Sequence, residues 1–317
     1  MKKEFNVSQL YIVDFAKKLA HKKNIWAIIY LLLNVVIITL FCTMFEQRIW
    51  LCIIYSLLIY TVTATIALSP LGEWLFRTIN GCKKIEDQEV LNRLMPLFQE
   101  VKARAEAEGS VVVDPKIALY IKDDPDINAF AMGRRTVCVT QGLLQLTDDQ
   151  IKGVLGHEFG HLVTHDTDLT LLITVGNFMT SAIITFFRIC MIIFNVVVNI
   201  FSAFMSEGGG LVRGLNAIYS FAVTLLIDGA MWVWTKLGIL MVMKSSRDAE
   251  YEADAFSCDL GYQDGLLSFF YVLDHLEEAA GVKKNGSNIF AALASSHPAT
   301  EKRIQRIESR APLAIEQ

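Results

Sequence analysis

Four long stretches of this chain are built almost wholly from apolar residues, and no other feature limits its fold so tightly. Residues 25 to 45 carry no charge, and Ile49 through Leu68 repeat the pattern after a break containing Glu46 and Arg48. A further block runs from Leu169 to Met205 with Arg188 as its one charge, and a last block from Leu215 to Met243 contains Asp228 and Lys236. Each is long enough to cross ~30 Å of bilayer hydrocarbon as a helix. At 53% hydrophobic over 317 residues, the chain holds more apolar side chain than a soluble domain of this size uses. The expected fold is therefore mainly α and integral to a membrane, with four transmembrane helices.

The charges between these runs set their direction. Lysines 2, 3, 17, 18, 22 and 23 precede the first run, whereas the loops at 46 to 48 and 206 to 214 offer one arginine each. Cationic loops stay in the cytoplasm, so the N-terminus, residues 69 to 168 and residues 244 to 317 are expected there. Residues 1 to 24, alternately apolar and lysine-rich, suit the membrane surface. No small-residue cleavage site follows the first run, so residues 25 to 68 read as a retained hairpin rather than a leader. The block 169 to 205 could hold two crossings. Three crossings between residues 168 and 244 would, however, put the two halves of the chemical site on opposite sides of the bilayer. One crossing on each side of Gly208, Gly209 and Gly210 is expected instead, within a hairpin at 169 to 243, with Arg188 near the far interface.

Residues 69 to 168 and 244 to 317 together make one modest α+β domain into which that hairpin is inserted. Leu91, Leu94, Leu97 and Val101 give helical periodicity from Asp87 to Glu108, with Pro96 expected to kink it. Ile117 to Ile121 reads as a strand, and Ala129 to Val139 as a hairpin turning at Gly133. Thr147 and Gln150 have capping-box spacing and predict a helix through to about His165. Further helices are expected at 246–260, 263–280 and 298–309, the last opening at Pro298. A net charge of -4 without long runs of one sign argues against a nucleic-acid partner. The six cysteines are scattered without paired spacing and read as reduced, small hydrophobes.

The chemistry begins at His157-Glu158-Phe159-Gly160-His161, an H-E-x-x-H sequence on a predicted helix. Four residues of helix bring two imidazoles to one face, where they can share one ion. Glu158, offset by one position, can reach water beside the metal rather than the metal itself. His165 repeats the spacing but lies about 12 Å from His157 along the axis and cannot join them. A third ligand at the metzincin spacing would fall on Thr167, with Thr164 where the glycine is expected. The ligand must come from elsewhere, and Asp248, Glu250, Glu252 and Asp254 form the obvious acidic cluster. Glu250 and Asp254 share a helix face while Glu252 points away. One of the two can bind zinc as the other orients a histidine.

H-E-x-x-H and E-x-x-x-D, separated by two apolar runs, resemble the HtpX-type membrane zinc proteases. The resemblance extends over nearly the whole chain. It includes Asn128-Ala129-Phe130, Ser246-Arg247 leading into Glu250, and Ser296-His297-Pro298 followed by Arg303-Ile304. It implies a zincin-like domain with one Zn2+ per chain on His157, His161 and Glu250, with Glu158 as base and Asp254 in support. It also implies that Asn128, Ala129 and Phe130 line a substrate cleft and that His297 donates to the transition state. On residue type alone, Asn128 equally suits a turn, and His297 the approach to the Pro298 helix. The related CAAX prenyl proteases are longer, with more spans, which disfavours that substrate class.

The expected activity is hydrolysis of membrane-protein or unfolded polypeptides at the cytoplasmic face of a bacterial inner membrane, a quality-control role implied by the resemblance. Eight residues from His161 to Leu169, and seven from Met243 to Glu250, keep the site close to the bilayer. The alternative is a membrane zinc-binding or transport protein in which Arg188, Asp228 and Lys236 line a polar path.

Overall fold

A computed structural model describes residues 25–108, 114–204, 208–279 and 300–310. The chain divides into two compact units: Thr65–Leu172 with the chain from Val242 onward, and Ile28–Ala64 with Ile173–Met241.

The second unit is helical. It draws on α1 (Ile25–Cys42), α2 (Ile49–Ala67), α6 (Asp166–Ala203) and α7 (Gly209–Asp259). Among the described residues three apolar stretches are long enough to cross a membrane: Ile49–Ala67, Ser181–Ala203 and Gly209–Trp234. The apolar helix Ile28–Cys42 is shorter, at about 22 Å. Arg188 falls inside the stretch Ser181–Ala203. Its guanidinium pairs with the Asp228 carboxylate, which offsets much of the cost of a charge among apolar neighbours. In the same unit Asn195 accepts hydrogen bonds from Asn216 at 2.6 Å and Ser220 at 2.5 Å. Tyr30 stacks on Trp234 with ring centroids 5.4 Å apart.

The first unit sets helices against a four-stranded mixed sheet. Strands β1 (Cys82–Lys83), β2 (Ala118–Lys122), β3 (Ala129–Met132) and β4 (Thr136–Thr140) lie in the order β1-β2-β4-β3. β2 and β4 run parallel, and β3 pairs antiparallel with β4, leaving β3 at an edge. The expected hairpin is present, and Gly133 supplies the positive φ of 55° that its turn requires. Helices α4 (Gln88–Ala107), α5 (Asp148–Thr164), α8 (Gln263–Ala279) and α9 (Thr300–Glu308) complete the unit. Leu94, Phe98 and Val101 of α4 pack with Ile151, Leu155 and Phe159 of α5 and with Val137 and Val139 of β4.

α5 starts where the capping box placed it. Thr147 Oγ1 accepts from Gln150 N, and Gln150 Oε1 accepts from Thr147 N at 2.9 Å. It stops at His165, whose φ of 57° makes it a left-handed cap. The separate helix expected at 246–260 is instead the end of α7. Residues 239–259 contain neither glycine nor proline, so nothing interrupts the backbone hydrogen bonds. One helix escaped the sequence reading, α3 (Pro70–Ile79), which Ser69 caps and Pro70 opens. Its Leu71, Trp74, Leu75 and Ile79 are exposed while Glu73 is buried.

Candidate metal centre

A short local pattern and a close helix crossing build the site. His157 and Glu158 are buried in α5 while His161, one turn on, is partly buried, and the end of α7 crosses the helix at Gly160. A Cβ at Gly160 would lie 2.7 Å from Ala253 Cα, closer than any real contact, so only glycine admits this approach. The crossing carries Glu250 and Asp254 to the two histidines.

Each carboxylate meets a different side of the imidazoles. His157 Nε2 lies 3.1 Å from His161 Nε2, and Glu250 oxygens lie 3.6 Å and 3.4 Å from those two nitrogens. A tetrahedral ion with bonds of about 2.0 to 2.1 Å holds its donor atoms about 3.3 Å apart. The three donors therefore fit one metal ion. Asp254 sits at the opposite ring nitrogen, 2.9 Å from His157 Nδ1. A carboxylate only accepts, so Nδ1 carries the proton and the Nε2 lone pair faces the other donors. Burial pushes the His157 imidazole down to about 4, against the opposing pull of Asp254. At neutral pH the ring is uncharged and free to coordinate.

Arg303 has no role in the sequence reading, and the structure supplies one. Its guanidinium grips Asp254 through Nε at 2.8 Å and Nη2 at 2.5 Å, and Nη1 lies 3.2 Å from Glu250. It also lies over the Phe270 ring, 4.3 Å from the centroid. Burial alone would raise the Asp254 carboxyl, but hydrogen bonds from Arg303 and His157 outweigh it and hold the group below its ordinary value. A sequence signal existed. Arg303, Ile304 and Ile307 form the buried stripe of α9, and an arginine within an apolar stripe needs a buried acid.

Glu158 is buried and accepts a hydrogen bond from Ala131 N at 2.7 Å. Backbone groups of Asn128 bond to Thr140 on β4, and antiparallel alternation then turns the Ala129 and Ala131 amides toward the open edge. The Phe130 side chain packs with Cys82, Met132 and Cys138. Of the other candidate positions, Asn128 is exposed beside the strand, and His297 lies outside the described residues.

The comparisons with known proteins agree with this chemistry. Residues 96–311 match peptidase family M48. The chain is 29% identical over 255 residues to Protease HtpX of Shewanella loihica, covering 76% of this chain and 82% of that protein. It is 30% identical over 253 residues to Protease HtpX of Idiomarina loihiensis, covering 76% and 80%. A Protease HtpX homolog of Bacillus velezensis is 26% identical over 274 residues, covering 81% and 84%. The crystal structure of S. mikatae Ste24p is a looser likeness, 18% identical with a TM-score of 0.44, covering 95% of this chain and 66% of that one. From the extent of the family match, the HtpX relatives and the apolar helices, the chain belongs to peptidase family M48, as a membrane-bound metalloprotease of the HtpX type.

Proposed function

We propose that the chain is a zinc endopeptidase that holds one Zn2+ on His157, His161 and Glu250 and uses Glu158 as its base. The observation that carries this reading is the convergence of three donor atoms beside a carboxylate that touches an open strand edge. Two histidines and one carboxylate suit zinc better than magnesium or calcium, which prefer oxygen. When bound, zinc would polarise the scissile carbonyl and make water acidic enough to ionise near neutral pH. Glu158 accepts the proton of the attacking water and returns it to the departing amine. Asp254 holds His157 in the coordinating tautomer, and Arg303 holds Asp254. An extended polypeptide adds alongside β3, from Asn128 through Ala129 and Phe130, and its backbone bonds the Ala129 amide and other backbone groups of the open edge without demanding one sequence. His297 serves as a transition-state donor.

The substrates we infer are misfolded or damaged membrane proteins and unfolded polypeptides. Cleavage occurs at the cytoplasmic face of a bacterial inner membrane crossed four times. The lysines ahead of Ile25 support the sidedness, and the HtpX resemblance supports the quality-control role. The test uses purified full-length protein with zinc in detergent and an unfolded casein substrate. Glu158→Gln should keep its metal and lose cleavage by about a hundredfold or more, and a chelator should stop the wild-type reaction. Wild-type rates from a clean preparation of Glu158→Gln would overturn the mechanism.

A further inference from the structure

The turn joining β3 to β4 is held from two sides by buried polar groups that the proposed chemistry does not use. From α3, one Glu73 carboxylate accepts from Arg134 N at 3.2 Å, Arg135 N at 3.1 Å and Thr136 Oγ1 at 2.5 Å. From the start of α6, Thr167 donates to the Gly133 carbonyl. Asp168 pairs with the Arg134 guanidinium at 2.7 Å with both side chains buried. Gly133 fits against Glu73 so closely that a Cβ there would lie 2.6 Å from its carboxylate oxygen.

Burying two carboxylates and an arginine is expensive, and such groups persist where they fix a geometry. What this cluster fixes is the end of β3. Thr167 and Asp168 follow α5 by only a few residues, so they tie the end of the helix bearing His157, Glu158 and His161 to the turn that ends β3. Glu73 holds the same turn from the other side. Two residues before the turn, the Ala131 amide meets Glu158.

We propose that Glu73 is a positioning residue for peptide binding: through the β3–β4 turn, with Arg134 and Asp168, it sets the placement of the β3 edge against Glu158. The proposal rests on the reading above that substrate adds to β3 as an extended strand. Substrates that run along the strand depend on this placement. A peptide spanning little more than the scissile bond does not.

The experiment compares a long unfolded polypeptide with a short peptide, using full-length protein loaded with zinc. Glu73→Gln keeps the shape but loses a charged acceptor. It should raise KM for the long substrate by about tenfold and leave the short one within about twofold, with unchanged metal content and a protein that still folds. Thr136→Val should follow Glu73→Gln, and Thr136→Ser should restore wild-type behaviour. Equal losses on both substrates, or wild-type KM on both, would overturn the proposal. So would loss of metal and folded protein in both Glu73→Gln and Thr136→Val, which would make the cluster purely structural. Glu158→Gln separates the two ideas. If wild type cleaves neither substrate, or Glu158→Gln cleaves both, the functional reading fails first. If only Glu158→Gln is impaired, the positioning role alone is lost.

Discussion

At the scale of single residues, the site depends on a buried cation that is not a metal. Arg303 lies against Asp254 and Glu250 at once, and without it two buried carboxylates would face each other with only imidazoles between. Arg303→Met should therefore cost the metal-free protein about 3–5 kcal/mol. Zinc should return a larger share of stability to this variant than it adds to wild type, because the ion replaces the lost charge. Melting temperatures with and without zinc check both halves of this expectation. Lysine is a poor substitute, since it cannot span Asp254 with two donors in one plane.

At the scale of elements, the decisive contact is between α5 and the end of α7. The sequence marks α5 well, because the capping box, the helical spacing of the histidines and the break at His165 are all local features. It marks the crossing poorly, because glycine in H-E-F-G-H reads as a weak helix former until Ala253 is found against it. Gly160→Ala should push the helices apart, destabilise the unit by about 1–3 kcal/mol and weaken zinc binding. Thermal melts and a competitive zinc titration measure the two effects. The same reasoning explains why α3 went unread. Its buried face holds Gly72 and Glu73, so its packing side carries a polar residue whose partners lie some sixty positions away.

At the scale of the whole molecule, acid should weaken the folded state through His157. Its folded pKa is pushed down to about 4 by burial, below the ordinary value of about 6.5. In the metal-free protein, the unfolded chain therefore binds a proton that the folded one refuses between those values. The histidine's contribution is fully present above about 6.5 and is lost as pH falls toward 4, amounting to a few kcal/mol. Asp254, held below its ordinary value, adds a further loss at still lower pH. Denaturation of metal-free protein at pH 7.5, 5.5 and 4.5 should show this decline. Zinc should shift it to lower pH by competing with the proton.

The sequence by itself determined the apolar helices, the α5 motif and the edge hairpin, because each is written in neighbouring residues through charge, period or turn chemistry. It also narrowed the remaining donor to Glu250 or Asp254, which share a helix face. Only the tertiary structure gave the two different places, Glu250 near the Nε2 atoms and Asp254 near Nδ1 of His157. Arg303 and Glu73 likewise gained partners only on folding, 49 and about 60 residues away. The physical reason is that periodicity fixes which face a side chain occupies, whereas its partner depends on how closely two backbones approach. Here those approaches are set by Gly160 and Gly133.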